Sequence, residues 1–439
     1  MSYTFRALMG ACAVSALATA ALAETTITVA TVNNGDMIRM QGMMEDFNAQ
    51  HPDIKVEWVT LEENVLRQRV TQDVATGGGQ FDVMTIGNYE VPIWGERGWL
   101  MPLEDLSDDY AVDDLIPSIR EALSVDGTLY ALPFYGESAF VMYRTDLAEK
   151  AGIEIPEEPT WAQIKDAAAK MTDKDAGIYG ICLRGKPGWG ENMAFISAMA
   201  NSYGARWFDM DWQPEFDSEP WQAAFKDYLD LMTNYGPPGA SSNGFNENLS
   251  LFQQGKCGMW IDATVAAGFV TDPEESTVAD NVGYAVFPNK EGVDNHGNWL
   301  WSWNLGIPES TDAPEAAKAF VTWATSKEYT QLVAEKQGWR AAPPGTRSSL
   351  YENETYLEEA PFATLTKQTM DAATPEKPSV QEVPYVGAQF VSIPEFQGIG
   401  TAVGQQFSAA LAGQMDAEQA LTNAQQLTER EMMKAGYIK

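Results

Sequence analysis

T-I-T-V-A-T at Thr26 to Thr31, K-V-E-W-V-T at Lys55 to Thr60 and F-D-V-M-T-I at Phe81 to Ile86 are three strand-like runs. Each alternates or carries a compact apolar block, as half-buried or fully buried strands do. Between the first two, Asp36 reads as an N-cap for a helix carrying Met37, Met40, Met44 and Phe47 at helical spacing. Between the second and third, a helix is expected from about Glu62 to Thr76, stopped by Gly77-Gly78-Gly79. That triple glycine follows a helix and lacks the Lys-Ser/Thr of a phosphate loop, so it terminates a helix. The βαβαβ order predicts an α/β fold with a mostly parallel sheet and ligands at the carboxyl ends of its strands. The loops Val32 to Asp36, Leu61 to Asn64 and Gly87 to Val91 then face the ligand.

Further along, Val125-Asp126-Gly127-Thr128 reads as a two-residue hairpin and Thr160-Trp161-Ala162-Gln163 as a capping box for a helix to about Met171. A strand is expected over Tyr179 to Leu183, helices from Asn192 to Tyr203 and after Pro220, and a strand over Cys257 to Ile261. From Ala313 the chain reads as mainly helical, with Asp416 capping the last helix. Asn298 to Asn304 reads N-W-L-W-S-W-N, which on a strand puts Trp299, Trp301 and Trp303 on one face. Core packing accounts for such indoles as readily as ligand contact does. Their N–H edges and polar flanks suit a sugar or polyol, which offers C–H faces and a belt of hydroxyls.

Residues 1–23 combine one cation, Arg6, with an apolar run ending Ala21-Leu22-Ala23, which predicts a secretory leader and a mature chain from Glu24. The formal charge of −34 opposes nucleic acid, anionic membrane and polyanionic ligands, and favours a neutral one. Cys182 and Cys257 remain after processing, and spacing alone leaves open whether they pair. No zinc or Ser-His-Asp pattern is present, and neither metal nor cofactor is expected. With 62 acidic residues, paired carboxylates carry little information, so a secreted carbohydrate-active enzyme stands as the alternative class.

Several segments together resemble the family 1 extracellular solute-binding proteins of ABC importers, and within it the sorbitol- and mannitol-binding branch. They are T-V-A-T-V-N-N-G-D-M (Thr28 to Met37), F-N-A-Q-H-P-D-I-K-V (Phe47 to Val56), F-D-V-M-T-I-G (Phe81 to Gly87), L-Y-A-L-P-F-Y-G-E-S with M-Y-R-T-D-L (Leu129 to Ser138 and Met142 to Leu147), F-Q-Q-G-K-C-G-M-W-I (Phe252 to Ile261), and the tryptophan run ending N-L-G-I-P (Asn304 to Pro308). The resemblance implies two α/β lobes of the type II periplasmic-binding fold, each a mostly parallel sheet flanked by helices, hinged where the chain crosses near Pro133, Ile261 and Pro308. Residues 24–133 and 262–307 would form the first lobe, and 134–261 and 308–439 the second. It implies a monomer that carries its ligand to a membrane permease without catalysis. Carried over residue by residue, the implied cleft takes Asn34, Asp36, Asn64, Asn88, Tyr89 and Glu137 from the first lobe. Arg184, Trp189, Asn192, Asp262 and Thr264 come from the second, with Trp299, Trp301 and Trp303 as the stacking surface. Capping and turn roles compete for the loop Asn and Asp residues, and a Glu137–Arg184 salt bridge is a second possibility. Near the carboxyl end, where maltose-type relatives stack adjacent aromatics, Ile393 to Gly400 holds only Phe396, which argues against a long oligosaccharide. Arg340 is a substitute contact or the partner of a structural ion pair.

Overall fold

The computed structural model describes residues 24–295 and 297–439. The expected leader and His296 lie outside the described residues. Ten strands follow in chain order: β1 (Thr25–Val32), β2 (Ile54–Leu61), β3 (Val83–Gly87), β4 (Ser124–Val125), β5 (Thr128–Leu129), β6 (Ala131–Glu137), β7 (Ala139–Arg144), β8 (Met259–Ala263), β9 (Val282–Val286) and β10 (Trp301–Gly306). β2-β1-β3-β10-β6 form one sheet and β8-β7-β9 a second, one in each lobe.

The first sheet is parallel through β2, β1 and β3, and β10 enters it antiparallel to both β3 and β6. β3 is buried throughout and β1 from Val29 onward, as strands covered by helices on both faces are. The Glu63–Thr76 helix ends at Gly77 in the left-handed conformation, with φ +60°. Asp126 and Gly127 both take positive φ, as a type I′ hairpin between β4 and β5 requires. The Thr160 capping box and the Asp416 cap form as expected.

Five expectations need correction. Asn34, not Asp36, stands at the N-cap of the first helix, which breaks at Met43 into Gly35–Gly42 and Met44–Gln50; Asp36 is buried in its first turn and paired with Arg39. Tyr179 to Leu183 is not a strand. It meets the chain entering β8 at the bridge Tyr179↔Cys257 and β8 itself at Cys182↔Trp260, and between them Gly180 packs so closely on the Ala168 carbonyl that a Cβ would lie 1.9 Å from it. The second sheet is antiparallel, because β7 runs against both neighbours. After Ala313, residues 372–395 form neither helix nor strand.

The fifth concerns the crossings. The chain first crosses at Ser138, between β6 and β7. It does not return after β8 but adds β9 to the second sheet, placing 282–286 with the second lobe, and rejoins the first sheet at β10. The Pro314–Ala324 helix packs on β1 and β6, so that part of 308–439 belongs with the first lobe, and the Ala363–Asp371 helix on β7 and β9 lies beyond the third crossing. Strand pairing decides these allegiances, and local sequence does not encode it.

Candidate functional site

Register builds the floor of the site. Trp301 pairs with Glu137 and Trp303 with Tyr135, so β10 and β6 present alternate indoles, a carboxylate and a phenol on one face of the sheet. Gly87 on β3 lies beneath: a Cβ there would sit 2.0 Å from Trp301 Cη2 and 2.9 Å from Glu90 Oε2. Gly87→Ala must therefore displace the Trp301 ring. Overpacking of this kind costs on the order of 2 kcal/mol, and denaturant unfolding together with a changed tryptophan emission should report it; a variant with wild-type values for both would contradict this packing.

Between the lobes is a cavity of about 450 Å³, its mouth included, lined by residues of both lobes. Seven of the expected residues line it: Asn34, Glu137, Arg184, Trp189, Trp299, Trp301 and Trp303. So do others that sequence reading missed, chiefly Glu63, Arg67, Tyr135, Phe245 and Gln389. Glu63 and Arg67 had a legible signal, since they fall on the buried stripe of Leu66 and Val70 where a charge needs a reason. Tyr135 stands two residues before Glu137 on the same strand face. Gln389 sits in the irregular 372–395 stretch and carries no sequence signal.

The expected residues outside the cavity have structural partners. Asp262 accepts a bidentate pair from Arg184, with Nη2 at 2.6 Å, and a bond from Trp260 Nε1. Arg184 therefore pairs with Asp262, not Glu137. Thr264 exchanges bonds with Ser138 at the crossing. Asn192 accepts from Gly188 N and donates to the Gly404 carbonyl, which shapes the Trp189 loop. Asn88 clips the backbone of Leu300 and Ser302, Tyr89 donates to the Ile393 carbonyl, and Asn64 donates to the Pro187 carbonyl in the other lobe. Asp36 faces a separate small crevice with Arg39 and Arg340. Arg340 donates to the carbonyls of Glu359 and Thr271 rather than to a carboxylate. Phe396 is fully buried against Trp207, behind Trp189.

Charge in the cavity is arranged in two clusters, each built around an arginine. Arg67 donates to Glu63 at 2.9 Å and to Glu90 at 2.8 Å; Arg184 is held by Asp262 and donates to the Gly190 carbonyl. Three cavity atoms are left without partners among the described residues, the indole N–H of Trp189, the indole N–H of Trp299 and Oε1 of Gln389, and the Glu137 carboxyl lines the cavity with them. Each orphaned buried group costs about 1–3 kcal/mol. Two donors and two acceptors around a concave apolar wall match alternating hydroxyls on a carbon chain. Burial pushes the Glu137 carboxyl well above its ordinary range, with Arg184 opposing.

Between the lobes, Lys186 of the second reaches Glu62 of the first at 2.5 Å and Glu191 at 3.5 Å. Burial, then the neighbouring Glu63 carboxylate, push Glu191 up to about 8. The folded chain thus holds a proton that the unfolded chain releases, so this contribution to stability is complete below about 4.5 and is lost as pH rises through about 8. Asp36, Glu90 and Glu137 are displaced the same way by burial. Unfolding free energy should fall between pH 5 and 8, and Glu191→Gln should flatten that slope; a wild-type stability that climbed over this interval would contradict the assignment.

The model of bacterial extracellular solute-binding proteins matches residues 34–331. This chain belongs to that family. It is 57% identical to the mannitol-binding protein of Pseudomonas aeruginosa over 429 residues, 98% of each chain. A solved ABC-transporter solute-binding protein from Agrobacterium vitis S4, with bound D-mannitol, is 64% identical with a TM-score of 0.93, covering 94% of this chain and all of that one. A ribitol complex from Agrobacterium radiobacter K84, 23% identical with a TM-score of 0.82 over 93% of this chain and 99% of that one, shares the fold. The family member described here therefore has the two-lobed architecture of sugar-binding proteins with its cavity at the lobe junction.

Proposed function

We propose that this chain is the periplasmic receptor of an ABC importer, that it captures an acyclic polyol with mannitol as the first candidate, and that it hands the ligand to a membrane permease. The observation that carries the reading is the set of unpartnered hydrogen-bonding atoms on Trp189, Trp299 and Gln389, together with the Glu137 carboxyl, in the interlobe cavity. A polyol can bond to all of them without adding charge to a site whose arginines already face carboxylates. The mannitol-binding protein of Pseudomonas aeruginosa and the Agrobacterium vitis S4 structure with bound D-mannitol support the same ligand class. Export through the 1–23 leader, a monomeric state and the absence of turnover complete the reading.

Calorimetry of the mature chain against D-mannitol, sorbitol, arabitol and maltotriose tests it. A six-carbon polyol should bind most tightly and be recovered chemically unchanged. Preference for the trisaccharide, or conversion of the polyol, would overturn the proposal.

A further inference from the structure

The guanidinium of Arg67 is enclosed from both lobes. Its edges are held by Glu63 and Glu90, and Glu90 is in turn fixed by the Gly87 N–H at 3.0 Å, all within the first lobe. Two indoles of β10 lie against the group, Trp303 at 4.6 Å and Trp301 at 5.0 Å from Cζ to ring centroid. The nearest ring comes from the other lobe: Trp189 stands 4.1 Å away. Beside it, Gly190 approaches so closely that a Cβ would lie 2.2 Å from Glu63 Oε1 and 3.0 Å from Arg67 Nη2.

We propose that Arg67 is a positioning residue that clasps the lobes together, offering a guanidinium face that Trp189 covers only when the cleft is shut. Because two carboxylates already satisfy its edges, what remains exposed in an open form is the flat face. Guanidinium, planar and weakly hydrated, stacks on an indole at little desolvation cost. An ammonium keeps the charge but has no face to stack. Closure therefore carries Trp189, with its unpartnered indole N–H, into the cavity, so the clasp and the ligand site form in one movement.

Asn64 and Gly188 provide a ligand-free readout, since a Cβ at Gly188 would lie 2.5 Å from Asn64 Oδ1 across the lobes. In the full mature chain carrying Asn64→Cys and Gly188→Cys, the rate of oxidative cross-linking reports the closed population. Adding Arg67→Lys or Trp189→Leu should slow it by about fivefold or more, and combining the two should slow it little further. A cross-linking rate unchanged by Arg67→Lys, or fully additive losses, would overturn the clasp. Both substitutions are checked for folding by circular dichroism, and Trp189→Phe, which retains a smaller aromatic face, should fall between wild type and Trp189→Leu. The proposal rests on the polyol reading only in its second arm, where Arg67→Lys should raise the D-mannitol dissociation rate about tenfold. If wild type does not bind mannitol, the ligand assignment fails while the cross-linking result still decides the clasp.

Discussion

Replacing Glu137 by Leu is expected to weaken mannitol binding by about 100-fold, close to 3 kcal/mol, while raising the stability of the ligand-free protein. The two effects have one cause. Glu137 is buried in the cavity without an ion pair or hydrogen bond among the described residues, and the nearby carboxylates of Asp262, Glu63 and Asp36 oppose its ionisation. A ligand hydroxyl turns that unfavourable carboxyl into a bonded one, and an apolar side chain removes the penalty together with the recognition. Thermal unfolding without ligand and calorimetry with it should move in opposite directions. If Glu137→Leu bound mannitol like wild type, Glu137 would have no part in recognition; if it lowered the melting temperature, Glu137 would have a structural partner.

Loss of the Cys182–Cys257 disulfide is expected to cost about 4 kcal/mol, the entropy of closing a loop this long in the unfolded chain. The cysteines are 75 residues apart, with Cα atoms 5.9 Å from each other. The bond matters locally as well, because Tyr179 to Leu183 joins β8 and the residues before it by isolated bridges rather than a ladder. It staples the segment that leads into Arg184 to the residues entering β8, the strand that carries Asp262, and Arg184 and Asp262 form a buried ion pair. The double variant Cys182→Ala, Cys257→Ala should therefore lose stability in denaturant titration and also bind ligand more weakly. A loss under about 1 kcal/mol would mean that the reduced chain already holds this segment in place.

Much of the first lobe was written locally. Thr26 to Ile86 announced its strands and helices through apolar spacing and glycine stops, because a parallel sheet covered on both faces demands those patterns. The Thr160 capping box and the Asp126-Gly127 turn were legible for a similar reason: each is completed by side chains or backbone angles within four residues. Period-two spacing likewise put Trp299, Trp301 and Trp303 on one face, and all three reach the cavity.

What the sequence alone determined was thus whatever a short stretch of chain enforces on itself: element type, turn chemistry and which side chains share a face. The partnerships belong to tertiary structure. Asn192, Asp262 and Thr264 were expected at the ligand and instead brace loops and crossings, because an Asn or Asp serves either role equally well until its neighbours are present. Whether Glu137 or Asp262 takes Arg184, whether β9 joins the first or the second sheet, and whether the indole faces meet a ligand or Arg67 depend on contacts between residues far apart in the chain. Those contacts are set by which hydrogen-bonding groups folding leaves buried with partners, and which it leaves for a ligand to satisfy.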